Sequence, residues 1–81
     1  MSSTDDPVPQ DLRDQVCALW RRVVAEPNRG TFTDCGGDSL SGLRLIGAVY
    51  GLCGVRMTWE DLHEAADAED FAERVTAAAS A

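Results

Sequence analysis

"CGGDSLSGL", residues 35–43, sets two glycines, an acid and a serine directly ahead of an apolar run. The order reads as a turn followed by a helix start. Asp38 is a favoured N-cap because its carboxylate can accept the free N–H groups there, which leaves Ser39 at the first helical position. The helix is expected to run to about Leu52 and to end near Gly54. Its apolar residues fall into two stripes, Leu45, Ile46, Val49, Leu52 and Cys53 on one side and Leu40, Leu43 and Tyr50 beside them. A helix apolar on two faces is either fully buried or presents one face to something else. Full burial is hard to arrange in a chain of 81 residues, which has little core to spare. Interior Gly42, Gly47 and Gly51 each weaken such a helix by about 1 kcal/mol relative to Ala, so close packing or docking is the expected reason for them.

The flanking sequence supplies more helices. Pro9 suits a first turn, where its missing N–H costs nothing. Leu12, Val16, Leu19, Trp20, Val23 and Val24 then recur at helical spacing until Pro27, Asn28 and Gly30 stop them. "PNRGTFTDCGG" (27–37) is expected to be a loop with one buried anchor, Phe32. Thr58 with Asp61 resembles a capping box and opens a short helix carrying Trp59 and Leu62. Asp67 with Asp70 repeats the device ahead of Phe71, Ala72 and Val75, and the tail "TAAASA" can extend that helix before fraying. No alternating β-branched run supports a strand. The expectation is an all-α fold, a small four-helix bundle with a short third helix. Its domain limits are expected at residues 9–78, between a disordered tail over 1–8 and a frayed end over 79–81.

Seven arginines, no lysine and 14 acids give a net charge of −7. No basic patch is present to neutralise phosphates, so nucleic-acid binding is not expected. Glu60, Asp61, Glu64, Asp67, Glu69, Asp70 and Glu73 crowd the C-terminal third and read as a solvated face. No stretch approaches the roughly 18 apolar residues of a membrane span. The acidic N-terminus does not resemble a signal peptide. A soluble cytoplasmic protein is the simplest reading. Cys17, Cys35 and Cys53 form neither a disulfide framework nor, without a CxxC or a histidine partner, a zinc site. They read as reduced thiols used as small apolar residues.

Three uses can be weighed for Ser39. A nucleophile needs a base within reach and a group to orient it. "GDSL" also labels a family of serine esterases, but those are longer α/β proteins. Here the sole histidine, His63, has Glu60 where their Asp would stand. His63 reads as a partly exposed helix residue, and no catalytic residue is expected. A plain helix start would account for Gly36, Gly37, Asp38 and Ser39, yet leave Leu40 and Leu43 without a purpose. A modified serine accounts for more: a phosphate ester at a helix N-terminus meets free N–H groups and the positive end of the dipole, and the two glycines let a modifying enzyme approach.

"FTDCGGDSLSGLRLI" (32–46) resembles the phosphopantetheine attachment site of carrier proteins, especially the peptidyl carrier domains of nonribosomal peptide synthetases. Phe32, Gly36, Gly37, Asp38, Ser39 and Leu40 fall in register with that motif. Leu19 and Trp20 are similar to the family's aliphatic-Trp pair in the first helix. "MTWEDLHEAADAEDFAERV" (57–75) follows its third and fourth helices. Thr33 and Cys35 depart from the usual aromatic and apolar residues, and His63 stands where an apolar residue is frequent.

The resemblance implies a non-catalytic carrier with 4'-phosphopantetheine attached to Ser39 by a phosphopantetheinyl transferase. It implies cargo held as a thioester, and no metal. Leu45, Ile46, Val49 and Leu52 would then face the bundle, while Leu40, Leu43, Arg44 and Gly47 would dock partner enzymes: an adenylation enzyme, then condensation or tailoring enzymes. Fatty-acyl carriers usually show acids on this helix; Ser39–Gly54 here has none and one Arg, a charge pattern that favours an aminoacyl or peptidyl carrier. The expected protein is a free-standing, monomeric carrier of a bacterial specialised-metabolite pathway such as antibiotic biosynthesis. Alternatives are an acyl carrier of a polyketide or fatty-acyl pathway and an unmodified carrier-like docking module.

Overall fold

Trp20 is the hub of the core. Its ring meets Phe32 edge-on, with centroids 5.5 Å apart, and lies 5.7 Å from the ring of Phe71. Three parts of the chain are therefore joined by one aromatic cluster of favourable geometry. The computed structural model describes residues 8–80. In order they form α1 (Val8–Val23), α2 (Ser39–Cys53), α3 (Trp59–Glu64) and α4 (Ala68–Ser80), and no strand is present among them. This is an all-α four-helix bundle with a short third helix. Of the expected tail over residues 1–8, residues 1–7 lie outside the described residues, as does Ala81; Val8 opens α1, and α4 continues through Ser80.

α1 packs most extensively on α4 and also on α2, while α3 leans on α4. Val16 and Trp20 from α1, Val24 just past its end, Leu45 and Val49 from α2, Leu62 from α3, and Phe71, Ala72 and Val75 from α4 close one buried cluster. Met57, Ala65 and the loop residues Phe32 and Cys35 complete it. The expected stripe on α1 thus separates into a buried line (Val16, Trp20, Val24) and a half-buried one (Leu12, Leu19, Val23). Trp20 Nε1 is buried without a hydrogen-bond partner among the described residues, which costs about 1–3 kcal/mol against the burial of the ring.

The caps work as the side chains allow. Thr58 Oγ1 accepts the Asp61 N–H at 3.0 Å, and Asp61 Oδ2 accepts the Thr58 N–H at 3.2 Å, so the capping box is closed both ways. Asp67 Oδ1 accepts the Asp70 N–H at 2.8 Å, and Asp70 Oδ2 accepts the Ala66 N–H at 2.8 Å. The crowd of C-terminal acids is therefore more than a solvated face. Three of its members start helices, and Glu73 and Glu64 pair with Arg13 and Arg74 at 2.9 and 3.5 Å. Those exposed pairs contribute little, each at most about 1 kcal/mol.

The three cysteines are unpaired, Cys35 buried and the other two half-buried. Burial pushes the Cys17 thiol above its ordinary range, which keeps it protonated and unreactive.

Candidate functional site

The loop between α1 and α2 delivers Ser39, and its glycines have internal reasons. Gly36 adopts φ 90°, a left-handed conformation that side chains resist. Gly37 lies against the Phe32 ring: a Cβ there would come 2.3 Å from Phe32 Cε2. The Gly37 N–H donates to the Phe32 carbonyl at 2.9 Å, and the Cys35 N–H donates to the Thr31 carbonyl at 2.9 Å. Buried Phe32 is thus the anvil on which the glycine pair is bent. The expectation that the glycines serve the approach of another enzyme is not needed to explain them.

Asp38 follows in an extended conformation and caps α2, its Oδ1 accepting the Ser41 N–H at 2.9 Å. That hydrogen bond holds the Asp38 carboxyl below its usual range. Ser39 comes next as the first residue of α2 and is exposed. At the far end, Gly54 turns the chain at φ 76° and its N–H donates to the Tyr50 carbonyl at 2.8 Å. Both ends of the helix stand where the sequence puts them.

Along α2 the two stripes have different fates. Leu45 and Val49 are buried and Ile46 and Cys53 half-buried. Leu52, expected against the bundle, is instead 37 % exposed. It sits on the last turn over a shallow groove between α1 and α2, where its small neighbours Ala18, Ala48 and Gly51 leave the space unfilled. The other stripe is open: Leu40 is 58 %, Leu43 59 % and Tyr50 50 % exposed. Arg44 and Gly47 are exposed among them, and Arg44 makes no ion pair among the described residues. Arg56, just past the helix, lies over the Tyr50 ring at 5.2 Å, a cation–π contact. Leu40, Leu43, Arg44 and Gly47 thus share one continuous solvent-facing surface that leads away from Ser39.

The glycines of α2 separate likewise. Gly42 is buried, and a Cβ on it would come 2.4 Å from Trp59 Cζ3. Gly47 and Gly51 have nothing within 4 Å of such a Cβ. Close packing therefore explains Gly42 alone. The contact with Trp59 brings α3 against the first turn of α2. A shallow depression of about 290 Å³ results, lined by Thr33, Gly37, Asp38, Ser39, Trp59 and His63. His63 is exposed, as the sequence suggested, but its position beside Ser39 is tertiary and no local pattern announces it. Its ring stands edge-on to Trp59 at 5.8 Å.

This arrangement fits a covalently tethered phosphate ester. An exposed hydroxyl stands at a helix N-terminus, beside a recess, with an apolar surface running away along the same helix. Among the described residues no carboxylate is hydrogen-bonded to His63. No group of side chains among the described residues could hold a metal ion, and no helix among them is long and apolar enough to cross a membrane.

No curated protein and no solved structure matches the chain. Residues 12–75 do match the family described as "Phosphopantetheine attachment site", a span that takes in the loop, all of α2 and α3 and most of α4. The chain belongs to that family: it is a non-catalytic carrier that takes covalent 4'-phosphopantetheine and holds acyl groups on it.

Proposed function

We propose that Ser39 is the attachment point, that the cargo is an aminoacyl or peptidyl group, and that the exposed face of α2 docks the enzymes that load and use it. The observation that carries the reading is Ser39 itself, exposed at the first residue of α2 in the register of the family's motif. A phosphopantetheinyl transferase would join the Ser39 oxygen to the phosphorus of coenzyme A's pantetheine arm, break the pyrophosphate bond and release adenosine bisphosphate. Once bound, the group supplies a terminal thiol that holds the acyl cargo as a thioester. The chain's own work is to present: the glycine turn and the Asp38 cap fix where Ser39 stands. Gly36, Gly37, Asp38 and Leu40 surround it as the recognition motif.

Leu40, Leu43, Arg44 and Gly47 offer an apolar face with one positive charge, although the chain as a whole carries −7. Such a face favours partners with an apolar patch and carboxylates over partners with a basic patch. That preference supports an adenylation enzyme and condensation or tailoring enzymes of nonribosomal peptide synthesis, or a related specialised-metabolite pathway in a bacterium. The contact should be small and transient, because a carrier must leave each partner. We take the carrier domain as residues 9–78, monomeric and cytoplasmic.

The test is competitive loading. Arm-bearing protein is offered an amino-acid adenylating enzyme with ATP and mixed amino acids, or an acyltransferase with malonyl and fatty-acyl coenzyme A. Aminoacyl thioester is the expected product. Acyl or malonyl product alone would move the chain to a polyketide or fatty-acyl pathway. A folded chain that accepts no arm would be a docking module.

A further inference from the structure

The depression beside Ser39 has a wall that the carrier reading does not use. Ser39 and Gly42 lie one turn apart on the same face of α2, and Trp59 rests on Gly42. The Trp59 ring is therefore held under the first turn of α2, yet it stays 39 % exposed. His63 follows one turn later on α3, edge-on to that ring. Among the residues that line the depression, His63 alone can carry a positive charge.

We infer that His63 and Trp59 form a seat for the first atoms of the arm, His63 pairing as a cation with the phosphodiester and Trp59 flanking the aliphatic segment beyond it. The inference rests on Ser39 as the attachment point. A phosphodiester there would find one anion and one potential cation in the recess. Asp38 lies on the α2 side and is occupied with the Ser41 N–H. His63 lies on the α3 side. Thr33, from the loop, is neutral. On α3 itself Glu60 and Glu64 neighbour His63 in sequence, and Glu64 is engaged by Arg74 at 3.5 Å. Histidine is the side chain whose charge responds to pH near neutrality, so pH is the variable that tests the seat. The seat would turn the start of the arm toward α3 and leave the Leu40–Leu43 face clear for a partner.

The experiment follows the phosphorus. Protein loaded with one arm, verified by intact mass, is titrated from pH 5 to 8 while the 31P resonance is recorded, for the wild type and His63→Gln. A phosphodiester keeps one negative charge throughout this range. Asp38, whose carboxyl is held low, stays ionised. A displacement of the resonance must therefore come from another neighbour that titrates. The expected result is a sigmoidal displacement in the wild type that is lost in His63→Gln, and that shrinks when salt is raised from 0.05 to about 1 M. A flat trace in loaded wild type, or the same displacement in His63→Gln, overturns the seat and leaves the attachment reading standing. A folded chain that takes no arm overturns the attachment reading, and the seat with it.

Discussion

Gly42→Ala sets two physical effects of similar size against each other. In a helix interior, Ala is favoured over Gly by about 1 kcal/mol. The added methyl, however, would lie 2.4 and 2.5 Å from Trp59 Cζ3 and Cη2 and 3.3 Å from Leu62 Cδ2. Ordinary contact begins near 3.4 Å, so the indole must retreat by about 1 Å, and overpacking of this kind costs about 1–3 kcal/mol. The net effect is a destabilisation of about 1 kcal/mol, which lowers Tm by roughly 4–8 °C in a domain of this size. Gly47→Ala is the internal control. Nothing lies within 4 Å of its methyl, so the helix gain of about 1 kcal/mol should survive. Urea unfolding of both variants in the wild-type and Trp59→Ala backgrounds separates the terms. With Trp59 removed, Gly42→Ala should turn stabilising, giving a coupling of about 2 kcal/mol between positions 42 and 59. If Gly42→Ala stabilises the wild type as much as Gly47→Ala does, the packing of α3 on α2 described above is wrong.

Phe32→Ala removes a fully buried ring and should cost about 3–5 kcal/mol, a large share of the roughly 4–12 kcal/mol expected of an 81-residue chain; the midpoint of urea unfolding reads it. Leu43→Asp and Arg44→Glu sit on the exposed face, so stability should stay within about 0.5 kcal/mol of wild type. Each should lower kcat/KM for arm attachment or aminoacyl loading by about tenfold, a loss of roughly 1.4 kcal/mol of docking energy. Asp38 has a carboxyl pKa below its unfolded value, so its contribution is full above the ordinary Asp range near pH 4 and is lost as pH falls through the folded value. Asp38→Asn keeps an N-cap without the charge; its unfolding midpoint should lack the wild type's fall in that acid window.

Much of this was legible because its causes are local. Asp38 and Gly54 bracket α2, and Thr58 with Asp61 and Asp67 with Asp70 start the helices after it, because each such side chain satisfies N–H groups within a few residues. The buried line on α1 and Phe32 follow from periodicity and from the shortage of other large apolar residues in the loop. What escaped depends on partners distant in sequence. Nothing near Gly42 separates it from Gly47 or Gly51; the difference is Trp59, 17 residues on and packed against only one of them. Leu52 shares the wheel position of Leu45 and Val49, but the small residues of α1 and α2 around it leave it open. His63 reads as a solvated helix residue and is one, yet the lean of α3 sets it at the rim of the recess that holds Ser39.

The central claim is that one hydroxyl carries the arm. The direct measurement incubates the chain with coenzyme A, Mg²⁺ and a permissive phosphopantetheinyl transferase, then cleaves it after arginine. The peptide from Gly30 to Arg44 holds Ser39 together with Ser41, Thr31 and Thr33, so fragment masses must decide among four hydroxyls. The account predicts a single phosphopantetheine on Ser39, and none anywhere in Ser39→Ala. A folded wild type that gains no mass, or an arm on Ser41 that persists in Ser39→Ala, would contradict it.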